Sequence, residues 1–357
     1  MKIIHITYPL SHGGIGTMLP QIANEQCKNN VVTIIIVSDI IAKEKIDVLN
    51  KKIKIIKLNR KTGSFSLIPI IRLNQLIFKS NADIFHFHSG EIVKYLLPFI
   101  WNKIKKISCV TQHSAPDSIK ELKKSRLSSF HYRYAISNAV KEHLNSIGNL
   151  DSEIVLNGIN EKDFIHNKEI KKNTFKIIQI GRLLHKIKGQ DILLKAIAIL
   201  KEQGLHNIEV TFLGGNGTSQ TFLEKLIKEY NISDNVHFMA PKPHSYIEQH
   251  LCDFNLLIQP SRCEAFGLTI AEGMAAKIPI LISDIPAPME VINQGECGLY
   301  FKSDDSIDCA EKIKSIIQNG YDENMIEKAY QRVQNLYSVD LTAQNYLKEY
   351  DIIRKKC

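Results

Sequence analysis

Two acidic residues, Glu264 and Glu272, enclose seven residues that carry no charge. A carboxylate in apolar surroundings is costly unless it is solvated or something binds it. A helix is expected to begin near Phe266 or Gly267, so Glu264 would lie in the loop before it and Glu272 within its first turns. The first backbone N–H groups of that helix, up to Leu268, have no partner inside the helix and form an anion site. The stretch therefore predicts either two solvated acids at a helix end or a ligand held between two carboxylates.

Cationic and glycine-rich loops follow two other predicted strands. The loop 181–189 contains Arg182 and Lys188 and precedes a strong helical pattern. An arginine fork and a lysine point charge are both well suited to a diphosphate. The loop 11–16 contains Gly14, and its glycines let backbone N–H groups approach a phosphate at a helix start. This turn lacks the GxGxxG register of a dinucleotide site, which argues against an NAD-dependent enzyme.

Short runs rich in Ile, Val and Phe alternate with helical patterns along the chain. Continuous apolar strands separated by helices are typical of parallel sheets covered on both faces, the doubly wound α/β class. Ligands of such sheets bind beyond the carboxyl ends of the strands, where the loops described above lie. Strands are predicted near 2–7, 31–38, 54–58, 83–88, 107–113, 134–137 and 153–158, and then near 175–181, 208–214, 235–240, 254–259, 279–283 and 298–301.

The polar segment 160–174 lacks periodicity and separates two strand series of similar length. We therefore predict two Rossmann-like domains, 1–165 and 166–335, which suits the length of the chain. The tail, about 322–355, is predicted to be helical, and its last part, 336–357, to pack back toward the N-terminal domain. The cleft between two such domains is the natural place for a ligand.

The chain of 357 residues has a net charge of +9 and an apolar fraction of 44%, which is normal for a globular protein. Residues 1–172 carry the basic excess, with 26 Lys and Arg against 14 Asp and Glu. This asymmetry suggests an anionic partner, unless a codon bias toward Lys explains it. Seven scattered cysteines without a CxxC pair argue for a reducing cytosol and against a zinc site. The start, Met1–Thr7, is interpreted as a buried strand and not a signal peptide, and no apolar run is long enough to span a bilayer.

In their order along the chain, these motifs resemble the signature of the retaining GT-B glycosyltransferases of the large fourth sequence family. That family holds many bacterial cell-surface sugar transferases, and the resemblance covers nearly the whole chain. It implies two Rossmann-like domains that face a central cleft. The matching segments are Gly13–Gly14, Asp83–His88, Val155–Asn160, Gly181–Arg182 with Lys188–Gly189, Phe212–Gly217, and Glu264-x7-Glu272 followed by Gly273–Pro279.

The resemblance assigns roles in binding a nucleotide-sugar donor. Arg182 and Lys188 would grip the donor diphosphate. Glu272 would accept hydrogen bonds from the ribose hydroxyls, and Glu264 would hold hydroxyls of the transferred sugar near its C3–C4 side. The remaining donor-site positions, which contribute mainly their backbone, are Gly14, Gly214, Ala265, Phe266, Gly267 and Leu268.

Two histidines at strand ends are further candidates. His113 resembles the family histidine that contacts the donor sugar near the reacting carbon. His88, which ends the neighbouring strand, is a candidate on the acceptor side. For both residues, a hydrogen-bonded histidine with a purely structural role is the alternative interpretation.

The expected chemistry follows from the departure of a nucleoside diphosphate from an anomeric carbon. Arg182, Lys188 and the helix-start amides would stabilise the charge on the leaving phosphate without a metal ion or cofactor. The sequence has no convincing DxD metal motif, and a pair of carboxylates for double displacement is not evident. The resemblance favours retention through front-face attack, with the leaving phosphate taking the acceptor proton.

The basic half of the chain suggests a membrane surface. In the segment 118–133, apolar residues fall near one helical stripe among Lys and Arg residues, as in a basic amphipathic helix that binds anionic lipid. The alternative is a helix that faces the core with a solvated basic side. We predict a peripheral enzyme at the inner face of the cytoplasmic membrane, which adds a sugar from a UDP-sugar to a lipid-linked, polyprenyl-diphosphate saccharide in surface polysaccharide synthesis.

Two other classes of function remain open from the sequence. One is another enzyme on similar domains, such as a nucleotide-sugar epimerase. The other is a nucleic-acid-binding protein, which the charge suggests; however, no interleaved aromatic and basic platform and no known binding motif is present.

Overall fold

The computed structural model describes residues 1–11, 13–114, 118–166, 174–215 and 217–356. They form two compact units. The first consists of Met1–Ile159 joined by the C-terminal segment from Tyr337, and the second is Asn160–Leu336. The boundary between the two units thus falls after residue 159, whereas the sequence analysis placed it after residue 165. Most of the predicted linker, residues 167–173, lies outside the described residues.

The first unit is built on a parallel sheet of seven strands in the order β3-β2-β1-β4-β5-β6-β7. Its strands are β1 (Lys2–Thr7), β2 (Val31–Ser38), β3 (Lys54–Arg60), β4 (Ile84–Phe87), β5 (Ser108–Gln112), β6 (Tyr132–Ala135) and β7 (Glu153–Ile154). Its helices are α1 (Gly14–Gln26), α2 (Lys43–Asp47), α3 (Ile68–Lys79), α4 (Pro98–Ile104), α5 (Ile119–Ser125), α6 (Asn138–Gly148) and, from the end of the chain, α15 (Val339–Lys355).

The second unit is built on a parallel sheet of six strands in the order β10-β9-β8-β11-β12-β13. Its strands are β8 (Phe175–Ile180), β9 (Ile208–Leu213), β10 (Val236–Met239), β11 (Leu256–Gln259), β12 (Ile280–Ser283) and β13 (Leu299–Phe301). Its helices are α7 (His185–Lys188), α8 (Gln190–Glu202), α9 (Gln220–Glu229), α10 (His244–His250), α11 (Leu268–Ala275), α12 (Pro286–Val291), α13 (Ser306–Asn319) and α14 (Glu323–Leu336).

The two predicted Rossmann-like sheets are confirmed. The central strands are fully buried because helices cover both faces of each sheet, so their side chains are apolar at consecutive positions and not only at alternate ones. In both units the strand order reverses beside the first strand, β1 or β8, and this topological switch point leaves a crevice at the carboxyl ends of the strands.

The C-terminal tail is two helices and not one. Residues 337–338 separate α14 from α15, and Ser338 accepts a hydrogen bond from the backbone of Leu341 as the N-cap of α15. Helix α15 packs against β1, β4 and α1, and its residues Tyr346, Tyr350 and Ile353 are fully buried in that core. The last helix is therefore an integral part of the first unit.

The prediction of one basic helix over 118–133 is wrong. Only Ile119–Ser125 is helical; Arg126 then adopts a left-handed conformation with φ 59°, and strand β6 begins at Tyr132. Most of the apolar residues of the predicted stripe, including Leu122, are buried in the core of the first unit. The segment faces the core, as in the alternative weighed above, but it is not a single helix.

Six cysteines lie within the described ranges; none of these six forms a disulfide, and five of them are buried. Among the helices of the described ranges, none combines the length and hydropathy of a membrane-spanning segment.

Candidate active site

Glu264 lies in the loop that joins β11 to α11, and Lys188 ends the short helix α7. The Lys188 ammonium forms an ion pair with Oε1 of Glu264, and both side chains are largely buried. The same oxygen accepts hydrogen bonds from Gln259 Nε2 at 2.8 Å and from Ser261 Oγ at 3.1 Å. Three donors therefore converge on one carboxylate oxygen, and these hydrogen bonds fix the position of the Glu264 side chain.

The loop that carries Lys188 is held in place through its backbone. Gln179 donates to the carbonyl of Lys188 at 2.7 Å, and Gln190 donates to the carbonyl of Arg182 at 3.0 Å. Gly189 has φ 65°, and a Cβ atom at this position would lie 1.7 Å from the carbonyl oxygen of Pro260. Only glycine allows this contact, which brings the loop against the segment of Glu264.

Arg262 joins the same two segments from the other side. Its guanidinium makes two hydrogen bonds of 2.9 Å with the carboxylate of Asp191 and one of 2.5 Å with Asp304. It also donates to the backbone carbonyl of His185 at 2.7 Å. Hydrogen bonding to Asp191 raises the pKa of Arg262 above its usual value. The sequence analysis missed Arg262, because its partners are far away in the chain.

Glu272 lies within α11, as the sequence analysis expected, and it is buried. His244, at the start of α10, places Nε2 2.9 Å from Oε1 of Glu272 and Nδ1 2.6 Å from Glu248. Burial alone would lower the pKa of His244, but hydrogen bonds to Glu248 and Glu272 outweigh it and raise the pKa to about 10. His244 is therefore a cation at neutral pH and balances the buried carboxylate. Neither His244 nor Glu248 stands out in the sequence.

The two acids share one arrangement: described donors bind Oε1, and none of them bonds to Oε2. Oε2 of Glu272 is buried and has no hydrogen-bond partner among the described residues. The hydrogen bonds that Glu264 receives within the described ranges all end on its Oε1. A buried acceptor without a donor is costly unless a ligand supplies one. The pair is therefore suited to accept hydrogen bonds from hydroxyl groups.

Helix α11 begins between the two acids. Its N-cap is Gly267, with φ 110°, and Leu268 is the first helical residue. Ala265 and Phe266 precede it in the loop, and Phe266 is buried. The helix start thus lies where the sequence analysis placed it, directly after Glu264 and one turn before Glu272.

The remaining predicted donor residues lie at other ends of strands. Gly214 follows β9, and a Cβ atom there would lie 2.2 Å from the carbonyl oxygen of Gly181, so the ends of β8 and β9 approach closely. Arg182 follows β8, is exposed, and has no acidic partner among the described residues. Gly14 is the first residue of α1 in the first unit and is exposed.

His88 and His113 lie together in the first unit, where Nδ1 of His88 is 3.1 Å from Nε2 of His113. Both line a cavity of about 420 Å³, together with residues from the ends of β1, β4 and β5. Burial lowers the pKa of His113 to about 4 and that of His88 well below its usual value, so both rings are neutral.

Lys188, Glu264 and the start of α11 thus form one cluster in the second unit, with Glu272 on the same helix. His88 and His113 form a second cluster in the first unit. Arg182 and Gly214 lie in the loops that follow β8 and β9, and Gly14 lies at the first helix of the first unit.

The second unit matches a known family. Residues 160–332 match the model of the family described as glycosyl transferases group 1. The chain is 31% identical over 150 residues to the O-antigen biosynthesis glycosyltransferase WclY of Escherichia coli, which is 40% of each chain. It is 26% identical over 235 residues to an uncharacterized glycosyltransferase of Methanocaldococcus jannaschii, 61% of this chain and 59% of the relative. The alignments therefore span 40% and 59% of the length of these two relatives.

The fold of the whole chain is also known. The crystal structure of HepE from Anabaena in complex with UDP-glucose matches with a TM-score of 0.83 over 98% of this chain and 99% of that chain, at 16% identity. The expected family and the expected GT-B architecture of two Rossmann-like domains are thus both confirmed. Residues 160–332, just under half of the chain, match the glycosyl transferases group 1 family.

Proposed function

We propose that the protein is a glycosyltransferase that moves a hexose or N-acetylhexosamine from a UDP-sugar to a lipid-linked saccharide during synthesis of a bacterial surface polysaccharide. The observation that carries this proposal is the pair Glu264 and Glu272, each with Oε1 hydrogen-bonded by the protein and Oε2 without a hydrogen bond from the described residues. Sugars and ribose present hydroxyl donors, which are the complement of such acceptors. The relation to WclY favours O-antigen synthesis, and the UDP-glucose complex of HepE favours a uridine donor.

The contacts of the second unit support a division of roles. Lys188 gives one of its three N–H donors to Glu264 and keeps two that can bind a diphosphate, while Arg182 is exposed and has no acidic partner among the described residues. Glu264 then binds hydroxyls of the transferred sugar and Glu272 those of the ribose. The amides at the start of α11, after Gly267, lie between the two and add the favourable end of a helix dipole.

The proposed mechanism needs no metal ion and no cofactor. Negative charge builds up on the leaving diphosphate, and fixed cations at its position stabilise the transition state more than the ground state. Lys188 is such a cation because Glu264 and the backbone bonds to its loop fix its position. Front-face attack by the acceptor, with its proton passing to the leaving phosphate, would retain the anomeric configuration. His113 contacts the donor sugar in this proposal, as the family resemblance implies.

We place the membrane-facing surface of this peripheral enzyme at α3 and α4 and not at 118–133. The α3–α4 surface consists of large apolar side chains that are exposed to solvent, namely Phe65, Leu67, Ile68, Ile71, Phe78, Leu97 and Phe99. The two helices are adjacent, because the rings of Phe78 and Phe99 meet edge to face at 6.2 Å and Asn74 accepts a hydrogen bond from the backbone of Leu97. Exposed apolar patches of this kind mark interaction sites.

The charge around the α3–α4 surface favours an anionic lipid surface. The stretch 48–82 contains eight Lys and Arg and no Asp or Glu. On α3, exposed Arg72 and Lys79 share one helical face with Ile68, Ile71 and Phe78. From α4, the Lys103 ammonium lies 4.5 Å above the Phe78 ring. Apolar side chains surrounded by cations suit the boundary between headgroups and acyl chains, where a lipid-linked acceptor would be found.

The donor assignment is tested with UDP-, GDP- and ADP-sugars in thermal-shift and hydrolysis assays. We expect UDP-sugars to stabilise the protein and to be hydrolysed slowly. Lys188→Ala is expected to lower turnover by about a hundredfold, because it removes a contact made to the transition state. Glu272→Ala is expected to weaken donor binding. Lys186→Ala, an exposed residue of the same helix, is the matched control and is expected to change neither property.

Near-normal activity in both Lys188→Ala and Glu272→Ala would contradict the site assignment. Conversion of a UDP-sugar to its epimer, without release of UDP, would instead identify a nucleotide-sugar epimerase. Salt-sensitive binding of DNA with no response to any nucleotide sugar would favour the nucleic-acid-binding alternative.

A further inference from the structure

Four buried or half-buried side chains form an unbroken hydrogen-bonded chain in the first unit. Oε1 of Gln26 lies 2.8 Å from Nε2 of His5, and Nδ1 of His5 lies 3.1 Å from Nε2 of His88. Nδ1 of His88 lies 3.1 Å from Nε2 of His113. The chain begins in the core, at the last residue of α1, and ends at the cavity that His113 lines. The hydrogen-bonded chain therefore connects Gln26, which is fixed by packing in the core, to His113, which a ligand in the cavity can reach.

The strand register explains why these rings meet. His5 on β1 is paired with His86 on β4, and His88 lies two residues further along, so all three point to the same face of the sheet. The ring centroids of His5 and His88 are 5.3 Å apart and those of His88 and His113 are 5.4 Å apart, with interplanar angles of 30° and 26°. Burial lowers the pKa of His5 to about 4 and that of His88 well below its usual value. Each ring is therefore neutral, with one nitrogen that donates and one that accepts.

In a chain of neutral imidazoles, the group at one end sets the direction of every hydrogen bond. Gln26 presents its amide oxygen, so His5 donates from Nε2 and accepts at Nδ1. His88 must then donate from Nε2 and accept at Nδ1, and His113 must donate from Nε2. We propose that Gln26, His5 and His88 are positioning residues that hold His113 in the tautomer whose Nδ1 is an unprotonated acceptor at the cavity.

This inference rests on the proposed function and defines what His113 can bind. An unprotonated Nδ1 accepts a hydrogen bond from a hydroxyl group and repels a phosphate oxygen. No described residue donates to this nitrogen, and the half-buried His113 lines the cavity. The ligand group at this position is therefore a saccharide hydroxyl. His88 acts only through His113, which separates the roles of the two histidines.

A metal ion explains the same cluster less well. His5, His86 and His88 bring ring nitrogens within 4.8 Å of one another. However, His86 bonds to Tyr350 at 2.5 Å and to Thr111 at 2.7 Å, and both nitrogens of His5 and of His88 are also engaged. The rings of His86 and His88 are stacked at 4.3 Å, so their in-plane lone pairs do not converge on one point.

The test is ¹⁵N NMR of histidine-labelled protein, which distinguishes protonated from unprotonated ring nitrogens. The His113 signals are assigned by their loss in His113→Gln. We expect Nδ1 of His113 to resonate as an unprotonated nitrogen and Nε2 as a protonated one in the unmodified chain. The opposite pattern would overturn the proposal. Because this measurement uses neither donor nor acceptor, its result is independent of whether the protein proves to be a glycosyltransferase.

Gln26→Met tests whether Gln26 sets the direction of the hydrogen bonds along the histidine chain. It removes the acceptor at the inner end and nearly preserves the volume, so Nε2–H of His5 loses its partner and the opposite tautomer is no longer disfavoured. We expect the Nδ1 signal of His113 to shift toward the protonated region. The control Gln318→Met changes an exposed glutamine of the second unit and is expected to leave the signal in place. An unchanged His113 signal in folded Gln26→Met would overturn the proposal.

Discussion

At the scale of single residues, His244 makes the clearest prediction about pH. Its pKa is about 10 in the folded chain, against an ordinary value of 6.5, so the folded chain keeps a proton that the unfolded chain loses between these values. The stabilisation is complete below pH 6.5 and is lost as the pH rises through 10, by at most about 1.4 kcal/mol per pH unit. His244→Gln should remove this dependence.

The measurement is the free energy of unfolding of both proteins between pH 6 and 10.5. We expect the advantage of the unmodified chain over His244→Gln to shrink steadily over this range. His237→Gln, which replaces an exposed histidine, should follow the unmodified chain throughout. If the free energies of unfolding of the unmodified chain and of His244→Gln differ by the same amount at every pH, then His244 is not held as a cation by Glu248 and Glu272.

The residue scale also shows where reading the sequence reaches its limit. Glu264, Glu272 and Lys188 could be found because they lie in loops and helix starts that directly follow strands. His244 and Arg262 could not, because each acts through partners that are close only after folding: Nε2 of His244 reaches an acid 28 residues away, and Arg262 reaches one 71 residues away. No local pattern marks such pairs. Only the sheet order brings them together.

At the scale of elements, the loop between β8 and α8 predicts the effect of a glycine substitution. Gly189→Ala would place a methyl group 1.7 Å from the carbonyl of Pro260, in a backbone conformation with φ 65°. Gly204→Ala introduces a comparable φ of 85° with nothing within 4 Å. The control should cost about 1–2 kcal/mol for the left-handed conformation alone. Gly189→Ala should cost several kcal/mol more, because two backbone segments must separate.

Urea unfolding measures both costs, and thermal shift with UDP-glucose measures donor binding. We expect Gly189→Ala to abolish the thermal shift, since it displaces Lys188 from Glu264, whereas Gly204→Ala keeps it. Equal losses of stability in the two variants would mean that the contact with Pro260 does not hold the loop.

The elements also explain which parts of the fold could be predicted. The strands were found because buried parallel strands are continuous apolar runs, too short for helices and flanked by polar loops. The segment 118–133 was misread because Leu122, Leu127 and Phe130 fall near helical spacing although they belong to a helix, a 3-10 turn and the residues between that turn and β6. Spacing alone cannot reveal the left-handed residue, Arg126, that ends the helix.

At the scale of the whole molecule, part of the basic charge of the first half lies around one exposed apolar surface. The cations of 48–82 and those near α4 surround apolar side chains that nothing else in the described chain covers. Charge alone would give weak binding to any polyanion, but charge together with exposed apolar area distinguishes a lipid surface from a nucleic acid. Binding should therefore depend on both the anionic lipid and the apolar side chains.

The prediction is tested by sedimentation with vesicles of phosphatidylglycerol and phosphatidylcholine. We expect binding to vesicles rich in phosphatidylglycerol, weaker binding at high salt because the cations are screened, and little binding to pure phosphatidylcholine. Ile68→Ser with Phe78→Ser should weaken binding by about tenfold or more, since each side chain loses on the order of 1 kcal/mol of apolar transfer. Ile307→Ser removes an exposed isoleucine of the second unit and is expected to bind like the unmodified chain. If the double variant binds as tightly as the control, while salt still releases both, the surface is only a source of charge and the apolar side chains of α3 do not enter the bilayer.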